Sequence, residues 1–275
     1  MASYFGMRST AVRGGEFVLN DRQLYLRSVL YQGYWTESHL ASPSAAALRA
    51  DVELIAKLGF NAVRIHQKIE DPRFLHWTDR LGIFVWGEAP GAYEFGPRAL
   101  ERTTSEWLAT LDRDHSHPSI VTWVPLNESW GMQHIAASRA QREFARGLAA
   151  LTRAVDPTRP VISNDGWEHV DSDMLTLHDY EADPAVVCAR YRDAAARERL
   201  LSGAGPAGRA VTLDDQGIGE RPFLLTEFGG ISFTTTYTGE DAWGYSTAAN
   251  ADEFADRIAA LVGAVRESDF LARFC

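Results

Sequence analysis

Two glutamates, Glu128 and Glu227, stand where a carboxylate is costly to keep idle. Residues 119–131 read SIVTWVPLNESWG, an apolar run of Ile120, Val121, Trp123, Val124 and Leu126 that ends in Asn127-Glu128-Ser129-Trp130-Gly131. Such a run is the signature of a strand buried on both faces. A carboxylate at its end is expensive to bury without a partner, which marks it as a working group. Later in the chain the pattern returns as Pro222-Phe223-Leu224-Leu225-Thr226-Glu227-Phe228-Gly229-Gly230. The glycines let the chain turn and let a ligand approach. Two glutamates at two strand ends predict paired-carboxylate chemistry, and for sugars the best-known reaction of that kind is glycoside hydrolysis.

Something must hold the two ends side by side, and the rest of the pattern says what. Residues 11–30 read as a hairpin running into a strand at 24–31. Ser42-Pro43 opens a helix, Ser as N-cap and Pro at N1, which ends at Gly59. A strand over 60–66 follows, then a helix from Asp71-Pro72 to Gly82, a strand at 83–88, a helix over 97–114 and the strand from Ser119. Next come a helix over 137–155, strands at 160–164 and 174–178, a helical stretch over 184–201, a Gly-rich loop over 203–219, the strand at 223–227, and a helix over 249–265. Residues 270–275 open one more strand. The alternation predicts an α/β fold, a (β/α)8 TIM barrel with the eighth strand only begun and the last helix missing. Residues 1–23 form a linker and N-terminal hairpin, and 24–275 the barrel domain. A doubly wound open sheet would want a Gly-rich phosphate loop after the first strand, and Gln32-Gly33-Tyr34-Trp35 is not one. Seven strands alone would leave two bare apolar edges. Either residues 270–275 run beside the seventh strand, or a second copy of the chain covers the gap as a homo-oligomer.

Composition narrows the function classes. The net charge is −10 with no basic cluster, which argues against nucleic acid and anionic membrane surfaces as partners. There is no apolar run of transmembrane length and no secretory signal. Cys188 and Cys275 are the only cysteines, so no disulfide framework is implied and a reducing, cytoplasmic location fits. The eight tryptophans suit stacking on sugar faces, and equally the interior of a large barrel.

In a barrel the active residues gather at the C-terminal ends of the strands. Those ends carry Tyr34-Trp35, His66, Trp86-Gly87-Glu88, Asn127-Glu128, Asn164-Asp165, His178-Asp179-Tyr180 and Glu227. Hydroxyl-binding groups beside flat aromatic surfaces make a sugar pocket. The candidate substrate-binding residues are Asn127, His66, Trp86, Glu88, Asn164, His178, Tyr180 and Trp243. A rival is a metal-dependent barrel hydrolase with His66 and His178 as ligands and Glu227 bridging. No metal spacing is complete, however, so no metal or cofactor is expected. His115 and His117 precede a strand and fall at the barrel's bottom. A further rival is a barrel that holds sugar without cutting it.

These residues also carry a resemblance. Ser3-Tyr4-Phe5-Gly6-Met7-Arg8, Tyr25-Leu26-Arg27, Gly59-Phe60-Asn61-Ala62-Val63-Arg64, Asn127 to Gly131 and Thr226 to Gly230 are similar, in order, to the catalytic barrel of glycoside hydrolase family 2, which includes β-galactosidases, β-glucuronidases and β-mannosidases. The resemblance implies a retaining mechanism with Glu128 as acid/base and Glu227 as nucleophile. Retention needs the two carboxyl groups only about 5 Å apart, so the pair titrates as a coupled unit. Asn127 would bond the sugar 2-hydroxyl, and Tyr180 would donate to Glu227. The family usually places a sugar-binding-like β-sandwich and an immunoglobulin-like domain before the barrel, and an aromatic from its last strand at the sugar site. With no Arg or Lys clearly placed for a uronate, a galactoside is the first expected substrate.

Overall fold

The computed structural model describes residues 4–214, 219, 221–234 and 244–275. Thr10–Arg13 (β1), Glu16–Leu19 (β2) and Arg22–Gln23 (β3) form an antiparallel meander. Its turns are Gly14-Gly15 and Asn20-Asp21, all four residues with positive φ, as two-residue hairpin turns that match strand twist require. The barrel then alternates: Ser28–Tyr31 (β4), Ala45–Lys57 (α1), Ala62–Ile65 (β5), Pro72–Leu81 (α2), Phe84–Glu88 (β6), Pro97–Asp114 (α3), Ile120–Val124 (β7) and Arg139–Val155 (α4). After a fifth stave at 161–165 come Leu175–Asp179 (β8), Pro184–Arg190 (α5), Ala194–Ser202 (α6), Phe223–Phe228 (β9), Ile231–Ser232 (β10), Ser246–Thr247 (β11), Ala251–Arg266 (α7) and Leu271–Phe274 (β12).

The strands pair in parallel as two sheets, β4-β5-β6-β7 and β12-β9-β8. Side chains alternate along them. Val63 and Ile65 pack outward with Leu48 and Val52 of α1 and Phe74 of α2, while Ala62 joins Trp86, Val121, Ile162, Met174 and Leu224 in the barrel interior. Phe17, fully buried, closes that interior layer from the meander below. Residues Leu175, Leu177, Phe223, Leu225 and Leu271 face α5, α6 and α7 in a second outer cluster.

Several local expectations needed correction. The α1 cap is Ser44, whose side chain accepts from Ala47 N, whereas Ser42 Oγ is turned onto Ser44 O at 2.8 Å. The stretch 160–164 makes no continuous ladder. It bridges the neighbouring stave only at Val161 with Trp123 and Asp165 with Asn127. On its far side, side chains replace the ladder: Ser172 Oγ accepts from Ser163 N, and Thr176 Oγ1 from Gly166 N, both at 2.8 Å. The helix expected over 184–201 is two helices, because buried Tyr191 ends the first and Asp193 caps the second through Ala196 N.

The first of the two alternatives for the edge is what forms. β12 runs parallel to β9, with Leu271 opposite Phe223 and Phe274 opposite Leu225, and Phe274 bridges Arg27 just before β4. Seven ladder strands and the bridged stave thus make the α/β TIM barrel.

Candidate active site

Glu128 follows β7 and Glu227 lies within β9, so both reach the C-terminal mouth from different sheets. An oxygen of each, and a ring nitrogen of His178, lie within 4.8 Å of one another. The turn that presents Glu128 is unusual, since Glu128 and Ser129 both have positive φ, 52° and 55°. Left-handed backbone costs a residue with a side chain roughly 1–3 kcal/mol, so it persists only when over-determined. Here Glu128 N donates to Asp165 O at 2.9 Å and Ser129 N to Asn164 Oδ1 at 2.9 Å. Ser129 Oγ donates to Glu168 Oε2 at 2.8 Å, and Arg209 Nη2 holds that same oxygen at 2.7 Å.

Beneath the two glutamates lies a fully buried guanidinium. Arg64 reaches Glu88 Oε2 at 2.7 Å, Asp165 Oδ2 at 2.9 Å, Glu227 Oε1 at 2.6 Å and Asn127 Oδ1 at 2.7 Å. Burial works against its charge, but Asp165, Glu88 and Glu227 outweigh that and hold it protonated. His178 is the second cation. Its Nδ1 stands 2.7 Å from Glu128 Oε1, and its Nε2 stands 3.3 Å from Asp165 Oδ2 and 3.5 Å from Glu227 Oε1. Burial opposes its charge, while Glu227, Asp165 and Glu128 together raise it to about 9. Only glycine at 166 permits this packing: φ is 98°, and a Cβ would come 2.7 Å from the His178 ring.

The carboxylates divide accordingly. Burial alone would raise Glu227, but His178, Arg64 and His66 reverse the sign and hold it below the usual range. Tyr180 Oη donates to its Oε2. Asp165 is likewise held well below that range, Arg64 and His178 overcoming its burial. Glu88 goes the other way, pushed up to about 8 chiefly by burial and further by Asp165 and Glu227. His66 is lowered by burial and by Arg64, and its Nδ1 stands 3.4 Å from Glu227 Oε1.

These shifts set the pH response of the fold. His178 titrates higher folded than unfolded, so its stabilisation is complete below about pH 6.5 and is lost as pH rises through about 9. Glu88 acts in the same direction, because the folded chain keeps its proton up to about 8 whereas the unfolded chain has already released it. Unfolding free energy from denaturant titrations is therefore expected to fall steadily between about pH 6.5 and 9. His178→Gln should flatten that slope, and an unchanged slope would refute the assignment of the cation.

A cleft of about 470 Å³ opens above this cluster, its lining including Glu128, Glu227, His66, Tyr180, Trp130 and Tyr245. Of the expected substrate-binding residues, His66 and Tyr180 therefore line the cleft. Asn127 and His178 lie one layer below, Asn127 with its Nδ2 donor unpaired and buried. Glu88 and Trp86 are also buried below, Glu88 bonded to Arg64 and Gln67 N, and Trp86 inside the interior layer. Asn164 is saturated by Ser129 and by Trp167 O, and so supports the Glu128 turn. Trp243 lies outside the described residues. Sequence reasoning missed Arg64 as a site residue, and its signal was the alternation Ala62, Arg64, His66 on one face of an otherwise apolar strand. The Tyr180 ring stacks on Tyr245 at 3.7 Å, and a Cβ at Gly230 would strike both rings.

Glu128, His178 and Glu227 also have the spacing of a metal-binding group. Both ring nitrogens of His178 face carboxylates, and a protonated imidazole has no lone pair for a metal. The donor set thus suits a proton on His178 better than a cation among the three.

The family model described as glycosyl hydrolases family 2, TIM barrel domain, matches residues 10–232. The β-glucuronidase of Rattus norvegicus is 29% identical over 178 residues, 62% of this chain and 26% of that protein. The β-galactosidase of Thermoanaerobacterium thermosulfurigenes is 29% identical over 163 residues, 56% of this chain and 21% of that one. In structure, the chain superposes on the family 2 β-galacturonidase from Eisenbergiella tayi bound to galacturonate with a TM-score of 0.76. That match has 20% identity and covers 98% of this chain and 46% of the other. The chain spans about a quarter of the length of these curated relatives, or less, and about half of the solved one.

Proposed function

This chain belongs to glycosyl hydrolases family 2, and on that premise we propose that it is the catalytic barrel of a retaining β-glycosidase. The observation that carries the reading is that one oxygen of Glu128 and one of Glu227 lie within 4.8 Å of each other, which supports the close pairing of retention over the wider gap of inversion. The environments divide the roles. Glu227, with 6% of its side chain exposed, paired with Arg64 at 2.6 Å and bonded by Tyr180, is the ionised nucleophile. Glu128, with 23% exposed at the open side, is the acid/base.

In the first step Glu128 gives its proton to the glycosidic oxygen while a Glu227 oxygen attacks the anomeric carbon. The sugar–oxygen bond breaks and the alcohol leaves. The ester removes the negative charge of Glu227, and Glu128 then takes a proton from water as that water displaces the ester. The unpaired Nδ2 donor of Asn127 supports its role toward the sugar 2-hydroxyl, a bond that tightens in the transition state. His66 and Tyr180 contact the sugar from the wall.

Glu128→Ala is expected to slow substrates with poor leaving groups by at least about a hundredfold more than activated aryl glycosides, since only the former need the proton. Equal losses on both would rule out the role. Among the described lining residues of the cleft there is no Lys or Arg to pair with a uronate carboxylate. We therefore name a neutral sugar, galactose first, as the glycone, and a panel of nitrophenyl β-glycosides tests the choice. Exhaustive chelation should leave the activity intact, and a loss restored by a divalent ion would favour the metal reading. No helix among the described residues is long and apolar enough to cross a membrane. The two free cysteines support a cytoplasmic location.

A further inference from the structure

Two large aromatics stand in water at the rim of this cleft on the Glu128 side. Trp130, two residues beyond Glu128, lines the cleft with 40% of its surface exposed, and Tyr93 beside it is 86% exposed. Single exposed aromatics are common, but a fixed pair at a cleft mouth is a surface with a use. The pair is held edge to face, ring centres 6.1 Å apart and planes at 80°. Its support is built rather than incidental. Gln133 Nε2 donates to Tyr93 O at 2.9 Å, tying the loop after β6 to the turn that carries Glu128. A Cβ at Gly91 would fall 2.7 Å from Trp130 Cβ, so glycine there lets the indole seat. Gly131, at φ 76°, lets Ala92 close in from the other side.

The acid delivers its proton to the oxygen of the departing group, so whatever is bonded to that oxygen lies on the side of Glu128. We propose that Trp130, braced by Tyr93, is the platform for the leaving group, and that this subsite selects leaving groups with a flat apolar face, a second sugar ring above all, over short alkyl groups. The assignment rests on the acid/base reading of Glu128. The indole face offers the apolar face of a pyranose a stacking surface, and the exposed edge leaves its hydroxyls in water.

The test compares kcat/KM on a methyl β-glycoside and on a β-linked disaccharide of the same glycone. Trp130→Ala should lose about tenfold more on the disaccharide than on the methyl glycoside, most of it in KM, and Trp130→Phe should recover most of that difference. Tyr93→Ala, at a position too exposed to threaten folding, should lose about threefold more on the disaccharide. Equal losses on the two substrates in Trp130→Ala, or in Tyr93→Ala should Trp130→Ala not fold, would overturn the platform and leave the glycosidase reading standing. A parent chain that cleaves neither substrate would overturn the glycosidase reading and the platform with it.

Discussion

Glu227→Gln is expected to lower kcat by at least about 10⁴-fold on every glycoside the parent cleaves, activated or not. The amide is nearly the same size, so Tyr180 and His66 keep their places around it. What disappears is the anionic oxygen, held ionised in the parent by His178 and Arg64 against the penalty of burial. The chemical sign is as specific as the rate. A 2-deoxy-2-fluoro glycoside with a good leaving group should trap the parent as an ester, adding one sugar to its mass, and should leave Glu227→Gln unmodified. A variant that still accumulates the adduct would move the nucleophile elsewhere.

The second large effect is on the fold itself. Arg64→Met should lower the unfolding free energy by about 3–5 kcal/mol, a large share of the roughly 5–15 kcal/mol that holds a domain together. Methionine fills much of the volume, but Asp165 and Glu227 lose the cation they share and Glu88 loses a hydrogen-bond donor, in a largely buried site. Asn127 loses the partner of its carbonyl oxygen as well. Arg64→Lys separates charge from shape. It should regain much of the stability and little of the activity, because a compact ammonium does not reproduce the planar fork that reaches Glu88, Asp165, Glu227 and Asn127 together. Chemical denaturation of both variants checks this, and a denaturation midpoint for Arg64→Met equal to the parent's would show that the cluster does not depend on the guanidinium.

What was legible beforehand follows from where information sits along a chain. β7 and β9 declared themselves because an apolar run that stops at a glutamate is a local pattern. The closing strand at 271–274 could be anticipated because its edge would otherwise be bare. Arg64 escaped notice because its meaning is non-local: it becomes a site residue only through Glu88, Asp165, Glu227 and Asn127, which arrive from four other staves. Asn164 was read as a sugar ligand because its position at a stave end is right, yet the left-handed turn at Glu128 uses up its amide. The stave at 161–165 looked like an ordinary strand. Its neighbour instead offers Ser172, Asp173 and Thr176 side chains to the backbone, which no strand pattern announces.

The two-sheet construction of the barrel has a stereochemical consequence. Glu128 extends from the four-stranded sheet and Glu227 belongs to the three-stranded one, and the seams between them are single bridges and side-chain links. The gap between the carboxylates therefore depends on how the two sheets pack through their shared interior layer. Sliding one sheet by a single residue would offset one carboxylate by about 3.3 Å along the strands, enough to spoil the alignment that paired-carboxylate chemistry needs. Arg64, rooted in β5 and clasping Glu227 of β9, is the bolt across that joint. On the retaining reading, the configuration of the anomeric centre would then follow from how the two sheets rest against each other.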